Sequence, residues 1–160
     1  MKKGEFMDFR SYLSDIPIFR NLTKRELNEV EGIMHKRTVR DMEVIAQVGE
    51  PPLAIYIIRS GRVDFVIGKP GDEGNIIESY SGGDVIGEIC IFDDEPRPSS
   101  IISRGDSELI GIFKYDLDGL MKKHPKLGYK ILKNIGSTLV KRVRKLNALL
   151  SETVNNKNND

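Results

Sequence analysis

The sequence predicts a mainly β domain with flanking helices. Apolar residues recur with a period of two from about residue 37 to residue 113, and with a period of three to four on either side. The alternating runs are short and regularly spaced, with Gly, Pro, Ser or Asp between them and no helical pattern between most neighbours. This favours a jelly roll or barrel over a parallel βαβ sheet. The chain divides into an N-terminal helical segment (1–36), a β-roll (37–114) with a glycine-led loop (83–100), a hinge with C-terminal helices (115–152) and a disordered tail (153–160).

Residues 5–15 read as an amphipathic helix with Phe6, Phe9, Tyr12 and Leu13 on one face. Asp15-Ile16-Pro17 ends it, because the residue before a proline avoids the helical region. Ile18, Phe19 and Leu22 form an apolar knuckle. Thr23 caps a second helix with Glu26 at capping-box spacing, and Leu27, Val30, Ile33 and Met34 make its buried stripe. Strands are expected over 38–40, 43–46, 54–58, 62–67, 75–80, 99–103 and 108–113. Breakers lie at 49–52, 60–61, 69–74 and 81–84, with 69–74 read as a hairpin turn. A short helix over 116–123 stops at His124-Pro125. The longest helical pattern follows, from 126 to about 152, and residues 151–160 are expected to fray. Leu132, Ile135, Leu139, Val143, Leu146 and Leu150 recur along it at threes and fours. Gly136 weakens it by about 1 kcal/mol relative to alanine. Val140 and Leu149 widen the apolar face, so one side can cover the roll while another meets a partner helix.

The chain has 160 residues, enough for one domain and an appendage. Lys plus Arg total 25 against 24 for Asp plus Glu, which gives no global pull toward nucleic acid or membrane. Cys90 is the single cysteine; it excludes an internal disulfide and fits a reducing compartment. No apolar run approaches the roughly 18 residues of a membrane span, and Glu5, Asp8 and Arg10 interrupt any signal core. A soluble, cytoplasmic protein without a membrane segment is expected.

The chemistry concentrates in residues 82–100. Gly82, Gly83 and Gly87 allow close backbone approach and unusual dihedrals. The apolar run Ile89, Cys90, Ile91 and Phe92 suits one or two helical turns, whose N-terminal amides attract an anion. Arg97 follows with a fork-shaped cation suited to phosphate oxygens. Glu88 cannot assist a phosphate, since both are anionic, but it can accept hydrogen bonds from a sugar hydroxyl. The combination points to a ligand carrying phosphate and ribose on one side.

Two helices, a roll, this loop, then a short and a long helix follow in order. That order resembles the cyclic nucleotide-binding domain family over about residues 16–152, through Gly83-Asp84-Val85-Ile86-Gly87-Glu88-Ile89-Cys90-Ile91, Pro96-Arg97 and Tyr56-Ile57-Ile58-Arg59-Ser60-Gly61-Arg62-Val63. The resemblance implies a roll of about eight strands that binds cAMP or cGMP, with no metal, no further cofactor and no catalysis. By it, Glu88 holds the ribose 2′-hydroxyl and Arg97 the cyclic phosphate. Ile89 and Cys90 present backbone amides, and Gly87 stands where a side chain would crowd the sugar. Pro98 and Ser99 continue the phosphate edge. Val63, Phe65, Val85 and Ile86 are candidate walls around the base, with Leu146 and Asn147 as a lid.

Two departures from the family pattern matter. The family commonly has a small residue after the arginine whose amide faces the phosphate, and Pro98 has no amide hydrogen. One lost hydrogen bond to an anion costs about 1.5–3 kcal/mol, or roughly one to two decades of affinity. Ser99 and Ser100 carry hydroxyls that can compensate. Family members with a hydroxyl-bearing residue directly after the arginine often favour cGMP, so Pro98 turns the expectation toward cAMP. Second, family transcription factors continue into a DNA-binding helix-turn-helix after the long helix, and none is expected here. The expectation is a stand-alone sensor, homodimeric through about residues 130–152, acting on an unidentified downstream protein.

Rival readings attach to each feature. Glu88 and Arg97 can close a loop as a plain ion pair. The degenerate alternative is a fold that has lost its nucleotide and serves as an interaction module. Cys90 reads as a packed residue rather than a redox switch. His35 and His124 lack companion ligands for a metal. Asp93-Asp94-Glu95 reads as a solvated loop. Lys126, Lys130, Lys133, Lys141, Arg142, Arg144 and Lys145 form a basic run read as a solvated helix face, with nucleic-acid binding as the rival.

Overall fold

The computed structural model describes residues 3–67 and 76–157, with side chains over 9–67 and 76–152. The expected hairpin turn at 69–74 lies outside the described residues. In chain order the elements are α1 (Lys3–Asp15), a 3-10 turn (Pro17–Phe19), α2 (Lys24–Glu31), β1 (Met34–Val39), β2 (Val44–Ala46), β3 (Ala54–Val66), β4 (Ile76–Ser81) and β5 (Val85–Ile86). A second 3-10 turn (Glu88–Ile91), β6 (Ser100–Phe113), α3 (Lys114–Lys123) and α4 (Pro125–Lys157) complete them.

The strands form one antiparallel sheet ordered β1-β6-β3-β4, with β2 also on β6 and β5 also on β3. It curls into the roll, and helices flank it at both chain ends. The sequence led to an expectation of about eight strands, whereas six are described. Two pairs of expected strands are each continuous, joined at two glycines, and the short β5 was not among the expected stretches. Gly61 was expected to separate strands over 54–58 and 62–67, yet β3 continues through it with irregular register opposite β6. Its φ is +90°, and a Cβ there would collide with the Ser107 side chain. Gly105, at φ +79°, bends β6 within the same paired region. Both strands bend together, so neither ends.

Alternation along β3 and β6 produces two cores. Ile55, Ile57, Ile110 and Ile112 pack outward against Leu13, Phe19, Val30, Leu120, Ile131 and Ile135 of the helical layer. Ile58, Val63, Ile101 and Leu109 turn into the roll with Val39, Ile45 and Ile86. This two-sided burial explains why β3 reads as a nearly continuous apolar run before its bend. Tyr12 ties α1 to the sheet by donating to the Ile58 carbonyl at 3.0 Å.

Helix α2 has the expected capping box: Thr23 N–H donates to Glu26 at 2.7 Å, and Glu26 N–H to Thr23 Oγ1 at 3.2 Å. The helix is shorter than expected. Met34, assigned to its buried stripe, instead opens β1 opposite Ile112, and Ile33 lies between the two elements. Pairing with β6 decides this, and a local pattern carries no trace of it. Helix α4 runs to Lys157, beyond residue 151 where fraying was expected. It is moored to the N-terminal segment by Asn134, whose Nδ2 donates to the carbonyls of Ile18 and Arg20 at 3.1 and 2.8 Å. No helix among the described residues is long and apolar enough to cross a membrane.

Candidate functional site

The loop from β5 to β6 closes one side of a cavity of about 430 Å³. Gly87 starts it at φ +79°, in the left-handed region, and a Cβ there would sit 2.9 Å from the Ala54 carbonyl oxygen. Only glycine fits without strain. The turn lets the chain reverse into the 3-10 turn that carries Glu88, Ile89 and Cys90.

Glu88 is fully buried. Its Oε1 accepts from Nη1 of Arg142 on α4. Its Oε2 is buried and has no hydrogen-bond partner. Desolvation by burial pushes the Glu88 pKa above its ordinary value, against the pull of the Arg142 guanidinium. Asp64, the other fully buried acid, provides a contrast. Asp64 Oδ1 accepts from Arg62 and Ser79, and Oδ2 accepts from Arg104 at 2.8 Å. Asp64 is saturated and structural, whereas Glu88 keeps one acceptor unspent.

Arg97 lines the same cavity. Its backbone is pinned to the turn before β3: Arg97 N–H donates to Glu50 O at 3.0 Å, and Gly49 N–H donates to Arg97 O at 2.9 Å. Its guanidinium donates only to the Ala54 carbonyl, at 3.2 Å, and has no carboxylate partner among the described residues. Glu88 and Arg97 therefore do not close the loop as an ion pair with each other. Glu88 takes its cation from α4, and the Arg97 fork keeps donors for another anion.

Of the residues singled out from sequence, Gly87, Glu88, Ile89, Cys90, Arg97, Pro98 and Ser99 all line this cavity, and Phe65 joins them. The other base-wall candidates do not. Val63, two residues before Phe65, is fully buried in the inner core with Ile86. Val85 packs against the helical layer. Leu146 is 58% exposed, and neither it nor Asn147 borders the cavity. Helix α4 reaches the cavity one turn earlier, through Arg142.

Arg142 was grouped with a solvated basic face, and that assignment fails for this residue. Besides Glu88 it donates from Nη2 to the Val85 carbonyl at 2.7 Å, and its guanidinium lies 5.3 Å from the centroid of the Tyr80 ring. A signal existed. Ile131 and Ile135 are buried, and steps of three and four from them lead to Thr138 and Arg142, both half-buried. Arg142 thus continues the core-facing stripe of α4. Cys90 is buried, and desolvation pushes its thiol pKa up to about 11, which fits a packed residue.

Comparison with known proteins agrees with this geometry. The profile of the cyclic nucleotide-binding domain matches residues 36–124. The chain is 26% identical over 106 residues to a cAMP-dependent protein kinase regulatory subunit of Colletotrichum orbiculare, covering 66% of this chain and 26% of that protein. It is 23% identical over 128 residues to a cyclic AMP receptor protein of Thermus thermophilus, covering 80% of this chain and 57% of that one. The chain spans about a quarter of the length of the kinase regulatory subunits it matches. A crystal structure of a cyclic nucleotide-binding domain from Methylobacillus flagellatus superposes with a TM-score of 0.75 at 22% identity, covering 86% of this chain and 80% of that one.

Proposed function

Because the chain belongs to the cyclic nucleotide-binding domain family, we propose that it is a sensor for a cyclic nucleotide, cAMP in preference to cGMP, and reports occupancy through α4. The observation that carries this reading is the unspent Oε2 of buried Glu88 in the same cavity as the Arg97 fork. A buried acceptor without a donor costs about 1–3 kcal/mol, and a ribose hydroxyl removes that cost. Arg97 then meets the cyclic phosphate.

The two oxygens of Glu88 suggest how α4 responds. One is held by Arg142, and the other is open to the sugar. Binding at the second oxygen changes the charge and hydration felt by the first, so the position of α4 and ligand occupancy are linked. The response is a population shift limited by the ligand's preference between two arrangements of α4. Leu132, Val143, Leu146 and Leu150 are exposed along α4, which supports a homodimer seam over about residues 130–152.

The second reading, an interaction module without nucleotide, is favoured by one observation: Arg142 already pairs Glu88 within the chain, so the acid does not depend on a ligand for its counter-charge. Titration of the purified protein with cAMP and cGMP, followed by thermal unfolding, separates the two. Stabilisation growing with nucleotide concentration is expected; no shift at millimolar amounts of either nucleotide leaves the interaction module standing.

A further inference from the structure

Apart from Glu88 Oε2, one buried side-chain polar atom among the described residues has no hydrogen-bond partner: Nε2 of His124. His124 stands where α3 ends and α4 begins. Its backbone is fixed on both sides. Its N–H donates to Leu120 O at 2.8 Å, and its carbonyl accepts from Gly128 N–H at 2.9 Å. Its φ of −127° and ψ of 74° leave the helical path, as expected of a residue before proline. Nε2 faces Glu29 Oε2 of α2 at 3.5 Å, and both side chains border a cavity of about 450 Å³ between α2 and this junction. The Glu29 carboxylate has no other ion-pair partner among the described residues.

We propose that His124 is a proton-operated clamp: once charged, its ring donates to Glu29 and fastens the α3–α4 junction to α2. A neutral ring has one proton, on either nitrogen, whereas a charged ring has a donor on both and attracts the carboxylate. Histidine is the usual side chain for a change of charge near neutral pH. A second tether beside it is already closed. Lys130 of α4 donates to both oxygens of Glu26 at 2.9 and 2.8 Å, one turn from Glu29 on α2. Glu26 also accepts from Thr23 N–H, so it is spent. The remaining charged groups bordering the cavity are Arg25 on α2, Lys123 on α3 and Lys126 on α4. They oppose an added positive charge, but all three are exposed and screened by water and salt, while Glu29 is in near contact. The clamp needs no ligand and stands apart from the nucleotide reading. It adds that the base of α4 is held more firmly in acid.

Urea unfolding of wild type, Glu29→Gln, His124→Gln and the double variant, without nucleotide, closes a double-mutant cycle at pH 5.5 and again at pH 8. A carboxylate is ordinarily ionised at both values. Glu88 and His35 are present in all four proteins, so their own titrations cancel. At pH 5.5 the coupling between positions 29 and 124 is expected to favour folding roughly two- to fivefold, the range of a part-exposed ion pair. At pH 8 it is expected to fall toward unity. If His124→Gln does not fold, wild type against Glu29→Gln decides, with a larger loss expected at pH 5.5 than at pH 8. An equal coupling at both values makes the contact a fixed structural bond and overturns the clamp. No coupling at pH 5.5, or a larger one at pH 8, overturns it as well.

Discussion

Replacing Arg142 with methionine keeps an unbranched apolar side chain but removes the guanidinium from Glu88, from the Val85 carbonyl and from the Tyr80 ring. Breaking a buried pair by removing one partner costs about 3–5 kcal/mol. Arg142 keeps 28% of its side chain exposed, so the lower end, about 3 kcal/mol, applies at pH 8. For a chain of this size that corresponds to a fall in Tm of roughly 6–12 °C. The pH dependence has a definite sign. The folded-state pKa of Glu88 already lies above its ordinary value of 4.5, so the folded protein holds that proton to higher pH than the unfolded chain does. The contribution of Glu88 to stability is therefore greatest below the unfolded value and declines as pH rises through the folded value. Removing Arg142 raises the folded value further. The deficit of the variant should be smaller at pH 5 than at pH 8, because lower pH favours the protonated, uncharged acid. Urea and thermal unfolding followed by circular dichroism at both pH values give the comparison, with Glu88→Gln and the double variant completing a cycle. In the Glu88→Gln background the same change should cost less, because the charge pair is already gone and only the Val85 carbonyl bond and the Tyr80 contact remain to be lost. A loss below about 1 kcal/mol at pH 8, an equal loss with and without the Glu88→Gln substitution, or a larger loss at pH 5 would refute the argument.

Four further outcomes are expected. Arg97→Ala should weaken cyclic nucleotide binding by about 2–4 kcal/mol in calorimetry while changing Tm little, because among the described residues its guanidinium bonds only the Ala54 carbonyl. Gly61→Ala should destabilise the fold by about 2–4 kcal/mol in urea unfolding, since it combines a positive φ with a clash at Ser107. Cys90 should resist alkylation at pH 8 in the folded protein and react once it is unfolded, read by mass spectrometry, because its thiol is buried and its pKa pushed up to about 11. Leu146→Asp should turn the proposed dimer into a folded monomer in light scattering; a monomeric wild type would end the dimer proposal.

The legible parts of this protein are those set within a short stretch of chain. Gly87, Glu88 and Arg97 fall in one loop, so their spacing alone brings them to one cavity. The Thr23 capping box is likewise complete within four residues. What escaped depends on partners distant in sequence. Whether Gly61 ends a strand depends on β6 bending with it, and whether Met34 is helical or extended depends on Ile112. Arg142 was hidden among other cations on one helix. The direction each faces is set by how α4 lies across the roll, and only the preceding buried isoleucines hint at it. Val63 and Ile86 looked like ligand walls because they are apolar and near the loop, but the inner core needs the same residue types and took them.

One pairing in the sheet carries a consequence for how this architecture can diversify. Val66, where β3 ends, faces Ser100, where β6 begins, and Phe65 faces Ile101 beside them. The described chain between them returns to this pairing after β4 and β5 have each paired with β3 and Arg97 has bonded to the 49–50 turn. The entropy of closing that excursion is therefore met by the β3–β6 pairing, and lengthening it adds only about 0.6 kcal/mol per doubling. The loop over residues 87–99 lies outside the β3–β6 ladder. Its residues can be rewritten to accept, reject or dispense with a ligand while β3 and β6 remain zipped beneath it, which gives Pro98 a route into such a loop without endangering the roll.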